Sequence, residues 1–393
     1  MHRRRTWSGI MASLAFIAAA CSSGGGATPT PALPTSVGPG EGQLKLVAWA
    51  GYVENGSNDP AYDWVTQFQT DTGCIVTAQT AGTSDEMVRL MATGEYDGVS
   101  ASGNASVRLV ASGDAAPINV DLVPNYKDVY AALKDQPYNT VNGVHYGIPH
   151  GRGANALAWR SDTVTSNLDS WSVMWDTPAA LKGKLSVYDD PIYMADAAVY
   201  LMSTQPALGI TNPYELDQKQ FDAVVALLKA QRPNIGEYWN DATKQIQSFT
   251  TGAVQVGTTW QYQINTMAIA TPPVPIGSNL LPKEGSTGWS DTWMLYSKAK
   301  HPNCMYKWLD WIISPEVNAK VAVWFGEAPS NPKACATADT LEPGHCDLFH
   351  ANDETYFSKV YEWTVPQKDC GDARGAVCKG YDDWLKAWTE IKG

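Results

Sequence analysis

The sequence predicts an α/β protein built of two lobes. Its 393 residues are too many for one ordinary domain, and 44% of them are hydrophobic, so each lobe can bury a core. Near the start of the body, candidate strands at 44–49, 74–78 and 96–100 alternate with candidate helices at 62–70 and 87–93. This alternation favours a mostly parallel sheet, whose ligands bind beyond the carboxyl ends of the strands.

Residues 1–20 are predicted to be a signal peptide. Three arginines precede an apolar run from about residue 10 to residue 20, which is too short to span a bilayer. Cys21 directly follows three alanines and is predicted to be lipidated, as in bacterial lipoproteins, although Ala18 stands where leucine is usual. Ordinary cleavage nearby is the alternative, and both predict export. Residues 21–42 are rich in Gly, Ser, Pro and Thr and are predicted to be a flexible tether.

Six cysteines remain beyond this point, and an even number in an exported chain favours up to three disulfide bonds. Two pairs are close in the sequence, Cys335 with Cys346 and Cys370 with Cys378, which leaves Cys74 with Cys304. Other pairings stay open. Because no C-x-x-C spacing is present, zinc or redox chemistry is not predicted, and we expect neither a metal nor another cofactor.

The overall charge and the aromatic residues favour a cationic or ring-stacking ligand. Forty acidic residues against 28 basic ones give a formal charge of -12. Such a surface repels nucleic acid and attracts cations. The chain has 16 Trp and 18 Tyr but only 7 Phe. Tryptophan and tyrosine combine a π face with a polar group, which suits binding of sugars, bases or cations.

The second lobe is predicted to begin after residues 145–149, and a strand is predicted at 288–296. In that strand Trp289 and Asp291 are two residues apart, so their side chains lie on the same face. A carboxylate beside an aromatic ring is the arrangement that an ammonium group on an alkyl chain requires. Late helices are predicted at 305–313, 315–325 and 381–391.

The order of short segments resembles the polyamine-binding (spermidine/putrescine) branch of the solute-binding proteins of bacterial ABC importers. The matching segments are 48–52, 96–99, 146–149, 185–190, 257–260, 282–285, 289–291, 314–317 and 325–331. The resemblance implies the two-lobed type II periplasmic-binding-protein fold, with a ligand cleft between the lobes. It places 43–150 and 291–334 in lobe 1, and 151–290 and 335–393 in lobe 2.

The resemblance also implies which residues contact the ligand. The implied contacts are Trp49, Tyr52 and Ser102 from the first lobe, Asp190 from the second, Trp260 and Trp289 along the alkyl chain, and Asp291 as the main amine-binding carboxylate.

Four positions depart from the family pattern. Tyr193 stands where a second acid is frequent, and Asn104 stands where an aromatic residue is usual. Glu327 replaces an aromatic residue, and Thr364 replaces an amide. Glu327 is predicted either to supply the second carboxylate or to be exposed to solvent.

Several of these residues have a structural role as the alternative to ligand contact. For Asp190, Ser102 and Asn104 that alternative is capping of a helix. His145 and His150 lie in no metal-ligand spacing and are predicted to be polar surface or crossover residues. Five tryptophans on amphipathic helices are predicted to be core packing: Trp64, Trp308, Trp311, Trp384 and Trp388.

The functional prediction is an extracytoplasmic, lipid-anchored receptor that captures a polyamine for the membrane permease subunits of an ABC importer. It is expected to be a monomer and not an enzyme, because the sequence has no GxSxG, HExxH, phosphate-loop or GxGxxG motif. One alternative is a sugar or oligosaccharide receptor. The other is a secreted glycoside hydrolase with an acid pair among Asp189, Asp190 and Asp291.

Overall fold

The computed structural model of the protein describes residues 33–393. The predicted signal peptide and Cys21 lie outside the described residues. The end of the predicted tether contacts the body: the Asn119 side chain donates to the Pro34 carbonyl at 2.9 Å, and the Gly38 N–H donates to the Asn303 side chain at 2.7 Å. Between residues 33 and 393, no helix combines the length and apolar character needed to cross a membrane.

Strands and helices alternate along the described part of the chain. The strands are β1 (Gln43–Ala48), β2 (Ile75–Thr80), β3 (Gly98–Ala101), β4 (Thr140–Val141), β5 (Val144–His145), β6 (Gly147–Ala154), β7 (Ala156–Arg160), β8 (Leu185–Tyr188), β9 (Ile235–Trp239), β10 (Val256–Thr259), β11 (Ile276–Asn279), β12 (Ser286–Leu295), β13 (Ala328–Pro329) and β14 (Val360–Glu362). The helices are α1 (Val65–Thr72), α2 (Ser84–Ala92), α3 (Gly103–Ser112), α4 (Ser172–Trp175), α5 (Met194–Thr204), α6 (Gln218–Gln231), α7 (Ala242–Thr251), α8 (Gln261–Ile269), α9 (Pro302–Ile312), α10 (Pro315–Phe325), α11 (Cys335–Leu341), α12 (His345–Leu348), α13 (Glu354–Phe357) and α14 (Tyr381–Lys392).

The first sheet has the strand order β13-β6-β12-β3-β1-β2, with β14 paired to β12. The three strands predicted near the start of the body are confirmed as β1, β2 and β3, and β1 pairs in parallel with both others. The expectation of a mostly parallel sheet is wrong beyond β3, because β12 pairs antiparallel with both β3 and β6. The chain leaves the first sheet through β6 and returns through β12, so these two strands run in opposite directions.

The second sheet has the strand order β11-β7-β10-β8-β9. Strands β10, β8 and β9 are parallel, and β7 is antiparallel to β10 and β11. Helices α5, α6 and α14 pack together beside this sheet. The α/β fold class is confirmed by these two mixed sheets with their helices. The predicted lobe boundaries remain predictions.

The three suggested disulfide bonds are confirmed. Cys74 pairs with Cys304, Cys335 with Cys346, and Cys370 with Cys378, with Cα–Cα separations of 5.8, 5.7 and 5.3 Å. The first of these ties the start of β2 to α9, across 230 residues of sequence.

The tryptophans predicted as packing residues lie in or against the core. Trp64, Trp308 and Trp384 are at most 1% exposed, and Trp388 is 4% exposed. Trp311 is half-buried, and its indole N–H donates to the Trp64 carbonyl at 3.0 Å.

Candidate ligand-binding site

A small cavity of about 10 Å³ lies between aromatic rings and one carboxylate. Its lining residues are Trp49, Ser102, Trp260, Trp289, Asp291, Phe325 and Trp363. Trp49 directly follows β1 and Ser102 directly follows β3, so both lie at carboxyl ends of strands in the first sheet. Trp260 directly follows β10 of the second sheet. The structure therefore brings together five residues that the sequence had singled out, from both sheets. We call this the aromatic cavity.

Asp291 is the buried anion of the aromatic cavity. It is 2% exposed, the hydroxyl of Tyr52 donates to its Oδ2 at 2.8 Å, and the hydroxyl of Ser102 donates to its Oδ1. Burial raises the pKa of Asp291 to about 6, although these two hydrogen bonds act to lower it. Within residues 33–393 no lysine or arginine forms an ion pair with Asp291. Among the described residues, Asp291 is therefore a desolvated carboxylate without a lysine or arginine partner, and His150 is the nearby group whose charge acts to lower its pKa.

Tyr52 joins Asp291 to a second buried acid. Its hydroxyl lies 2.8 Å from Glu327 Oε2, and Glu327 is fully buried, so the solvent-exposed alternative for Glu327 is wrong. A phenol has one proton, so it donates to one of the two carboxyls at a time. Neither Tyr52 nor Glu327 lines the aromatic cavity; both support Asp291 from behind its wall.

His150 belongs to the same buried cluster. Its Nδ1 lies 3.5 Å from Glu327 Oε1, its ring is fully buried, and it contacts the Tyr52 ring edge-on at 4.4 Å between centroids. The surface location suggested as one of two options for His150 is therefore wrong. It lies in β6, on the segment that leads from the first sheet to the second.

The indole rings form the walls of the aromatic cavity at fixed angles. Trp49 meets Trp260 edge-on at 5.3 Å between centroids, and Trp289 meets Phe325 edge-on at 5.2 Å. Strand β6 passes directly beside Trp289: a Cβ atom on Gly153 would lie 2.6 Å from Cζ2 of that indole. Only glycine at this position leaves the Trp289 ring its place in the wall.

A second small cavity, also of about 10 Å³, lies against the second sheet. Its lining residues are Asn155, Tyr188, Tyr193, Asp196, Trp239, Thr258, Thr259, Trp260 and Trp363. We call it the inner cavity. Trp260 and Trp363 line both cavities, so the two share a wall. Tyr193 therefore lies in the inner cavity, where Gln231 Nε2 donates to its hydroxyl at 3.0 Å.

Helix capping was the alternative to ligand contact for Asp190, Ser102 and Asn104, and the structure treats the three residues differently. Asp190 does cap: its Oδ1 accepts from the Ile192 N–H at 2.9 Å, and burial raises its pKa to about 7. Ser102 precedes α3, but its hydroxyl bonds to Asp291 instead of the helix backbone. Asn104 accepts from the Ser84 hydroxyl at 2.9 Å. Neither Asp190 nor Asn104 lines either cavity, and their ligand contacts remain predictions.

Several lining residues were not singled out from the sequence. Phe325 lies in the segment 325–331 that resembles the polyamine branch, but only Glu327 of that segment was predicted to contact the ligand. Trp363 is the neighbour of Thr364, which was noted as a departure from the family pattern. Asp196 carried a usable signal, because it is an acid in the otherwise apolar stretch MADAAVYLM of α5. Asn155 directly follows β6, and no periodic pattern marks it.

Two sequence comparisons place the chain among known proteins. Residues 63–345 match the model of a family described as bacterial extracellular solute-binding protein. The spermidine/putrescine-binding periplasmic protein of Escherichia coli (strain K12) is 25% identical over 363 residues, covering 88% of this chain and 96% of that protein. The putrescine/cadaverine-binding protein of Pseudomonas aeruginosa is 23% identical over 305 residues, covering 74% and 80%.

Solved structures share the fold. The spermidine/putrescine ABC transporter substrate-binding protein PotD from Streptococcus pneumoniae has a TM-score of 0.65 at 17% identity, covering 89% of this chain and 99% of that one. MotA from A. tumefaciens B6, in complex with glucopine, has a TM-score of 0.68 at 16% identity, covering 89% and 100%. Identities this low show the fold alone, and the two-lobed solute-binding fold is confirmed.

The fold, the cavities between its two sheets and the match over residues 63–345 agree with one another. The resemblance to the polyamine branch is confirmed by the curated relatives. This chain belongs to the bacterial extracellular solute-binding protein family.

Proposed function

We propose that this protein captures a polyamine outside the cytoplasm and delivers it to the permease of an ABC importer. The observation that carries the proposal is Asp291: a buried carboxylate in an aromatic cavity, with no lysine or arginine paired to it among residues 33–393. The names of the relatives support the same class of ligand, since they bind spermidine, putrescine or cadaverine.

The free-energy argument starts from the cost of burying a charge. An ionised carboxylate without a counter-charge is expensive to keep away from water, and the raised pKa of Asp291 records that cost. A primary ammonium group supplies both the missing positive charge and donors for a charge-assisted hydrogen bond. Closing the two lobes over the ligand then becomes favourable, and a permease can distinguish the closed state.

The aromatic walls suit the rest of such a ligand. The faces of tryptophan rings attract cations, and the same faces cover methylene groups that would otherwise contact water. Trp49, Trp260 and Trp289 together offer both functions within one cavity. The acidic surface, with a formal charge of -12, also favours the approach of a cation.

We further propose that the protein works as a monomer and is anchored to the membrane through a lipid on Cys21. The three alanines before Cys21 and the Gly/Ser/Pro-rich residues that follow support this. Mass spectrometry of the N-terminal peptide from protein made in an exporting bacterium tests the anchor. A diacylglyceryl group on Cys21, absent from the Cys21→Ser variant, is the expected result, and an unmodified N-terminus elsewhere would rule it out.

Calorimetric titration of the full chain, expressed in an exporting bacterium and extracted in detergent, tests the ligand class. The ligands are putrescine, cadaverine, spermidine, spermine and a maltooligosaccharide. We expect one-to-one binding of at least one amine and no heat from the sugar. Binding of the sugar with silence from every amine would replace the proposal with a sugar receptor. Hydrolysis of the sugar during the titration would replace it with an enzyme.

A further inference from the structure

The two lobes touch outside both cavities, where the carboxyl ends of β2 and β9 face each other. β2 ends at Thr80 in the first sheet, and β9 ends at Trp239 in the second. Just beyond these ends, a Cβ atom on Gly82 would lie 1.7 Å from the Asn240 carbonyl oxygen. The Tyr188 hydroxyl, at the end of β8, donates to the Gly82 carbonyl at 3.1 Å. Residue 82 must therefore be glycine for the lobes to come this close. We call this contact the mouth of the cleft.

Three polar side chains from both lobes meet beside the mouth. Helices α2 and α3 pack against the first sheet, and α14 packs on α6 beside the second. The hydroxyl of Tyr381, the first residue of α14, donates to Asp85 Oδ1 in the first turn of α2. Arg108 of α3 donates from Nη1 to the same oxygen at 2.5 Å and to the Tyr381 oxygen at 3.1 Å. We call Asp85, Arg108 and Tyr381 the mouth triad. Its members line neither cavity.

Each side of the mouth triad is fixed to its own lobe. Asp85 follows the capped N-terminus of α2, where the Thr83 side chain accepts from the Glu86 N–H at 3.1 Å. On the opposite side, the Lys379 N–H donates to the Leu216 carbonyl at 2.9 Å, directly before α14 begins. When the lobes separate, the bonds to Tyr381 therefore break, whereas the Asp85–Arg108 ion pair stays within the first lobe.

The bonds across the mouth are strong but reversible. Burial and the charge of Asp190 raise the pKa of Tyr381, so the phenol keeps the proton that it donates. Its acceptor is an ionised carboxylate, and the Arg108 guanidinium lies 4.5 Å from the centre of the Tyr381 ring. The side chains of Asp85 and Arg108 are 30% and 24% exposed. Because water already reaches this ion pair, separation of the lobes leaves no desolvated charge behind.

The mouth has to open for each ligand. In the closed arrangement the aromatic cavity measures about 10 Å³, room for one water molecule at most. A ligand with several carbon atoms therefore enters only after the lobes separate. We propose that the mouth triad stabilises the closed state of the lobes whichever ligand is bound, so that residues without ligand contact set how long the ligand stays. These are positioning residues, which act on the ligand through closure.

The proposal is tested first without ligand, by measuring the distance between the lobes. Spin labels are attached through a genetically encoded ketone amino acid at the exposed positions Glu95 and Lys229 of the full chain. Glu95 precedes β3 and Lys229 precedes β9, so both lie toward the amino ends of strands, away from the cleft. Pulsed electron paramagnetic resonance then reports the populations of closed and open lobes. The labelled wild type is compared with Tyr381→Phe, Gly82→Ala and Tyr130→Phe.

The wild type is expected to show a closed and an open distance. Tyr381→Phe keeps the ring beside Arg108 but should lower the ratio of closed to open protein by about tenfold, the value of one hydrogen bond to a charged group. Gly82→Ala should remove the closed distance, because its methyl group meets the Asn240 carbonyl. Tyr130→Phe, which loses a surface hydroxyl, should match the wild type. Equal distributions in the wild type and Tyr381→Phe would overturn the proposal.

Stopped-flow tryptophan fluorescence with putrescine measures the effect on the ligand. Tyr381→Phe should speed dissociation by about tenfold and leave the association rate nearly unchanged, because the bonds to Tyr381 form only after the ligand is enclosed. A slower association with unchanged dissociation would contradict a role in the closed state. Thermal melts show that each variant is folded. If no amine binds, the proposed function fails, while the distance measurement without ligand still decides the role of the mouth triad.

Discussion

The hydroxyl of Tyr52 lies 2.8 Å from the carboxylate of Asp291, although 239 residues separate the two in the sequence. Tyr52 comes from the turn after β1, and Asp291 comes from the strand by which the chain returns from the second sheet. Gly51, with φ of +92°, makes this turn possible, and a Cβ atom there would lie 2.9 Å from the Tyr262 ring. The contact holds the Asp291 carboxylate in place and acts to lower its pKa, against the larger effect of burial.

Replacement of Tyr52 by phenylalanine should weaken amine binding by about tenfold, because Asp291 and Glu327 lose a shared buried donor. The pKa of Asp291 should rise further, since a hydrogen bond to its charged form is gone. Calorimetry from pH 5 to pH 8 measures both effects. Tyr130→Phe is the matched control, because it removes a hydroxyl that bonds to Asn352 at the surface. Unchanged affinity in Tyr52→Phe would show that Asp291 needs no support from the phenol.

Replacement of Asp291 by asparagine should reduce amine affinity by about 100-fold, since a buried charge pair loses one member. The ligand-free variant should be at least as stable as the wild type at pH 8. A shift of the pKa from 3.8 to about 6 means that ionised Asp291 costs the folded state about 3 kcal/mol. Asp121→Asn removes the same charge from an exposed position and controls for net charge. Full affinity in Asp291→Asn would remove Asp291 from the site.

Amine affinity should fall by about tenfold between pH 8 and pH 5. With a pKa of about 6, Asp291 is ionised at pH 8 and mostly protonated at pH 5, whereas an alkyl ammonium stays charged throughout. The titratable groups that face Asp291 are Tyr52, Glu327 and His150. A neutral sugar ligand would show no such dependence, so a flat profile would contradict the cationic reading.

The ligand-free protein should show the opposite trend. The pKa of Asp291 is raised to about 6 and that of Asp190 to about 7, so the folded state holds these protons more tightly than the unfolded state. The resulting stabilisation is complete below the unfolded pKa of about 3.9 and is lost as the pH rises through 6 to 7. Thermal melts without ligand should therefore show the Asp190→Asn and Asp291→Asn variants gaining on the wild type as the pH rises from 5 to 8. An equal difference at both pH values would contradict the shifts.

Loss of the Cys74–Cys304 bond should destabilise the protein more than loss of Cys370–Cys378. The first closes a loop of 230 residues and the second a loop of 8. Loop-closure entropy predicts about 5 kcal/mol for the long loop and about 2 to 3 kcal/mol for the short one. Denaturant melts of the two paired Cys→Ala variants measure the difference. Equal losses would show that strain or residual structure, and not chain entropy, sets the stabilisation.

The local sequence was enough to predict the strands that carry several residues of the aromatic cavity. The strands predicted at 44–49, 74–78 and 96–100 lie within about two residues of β1, β2 and β3, because strand preference is a property of each segment by itself. The two-residue spacing of Trp289 and Asp291 put both side chains on one face, and both line the aromatic cavity. Trp49, Ser102 and Trp260 followed from the resemblance of short segments.

The inner cavity depends on contacts between distant segments. Asp196 and Thr287 are 91 residues apart, and Asn155 and Thr287 are 132 apart. The sequence favoured Asp190 and Tyr193 on this segment, although Asp196 stands out as an acid in an otherwise apolar stretch of α5. Glu327 is a second case. From its position before Ala328 and Pro329 the sequence could not exclude that it is exposed to solvent, whereas packing in the folded protein buries it completely.

The sequence alone therefore determined the fold class and the strand ends at which ligands bind, because short-range order is encoded residue by residue. The candidate main anion followed from the resemblance of short segments. The tertiary structure decided which side chains share a cavity, which acids lack a partner and which hydroxyls are already engaged. Those properties arise only when strands from two sheets meet. Burial, which raises the pKa of Asp291 and of Asp196, is a relation between segments that no single segment carries.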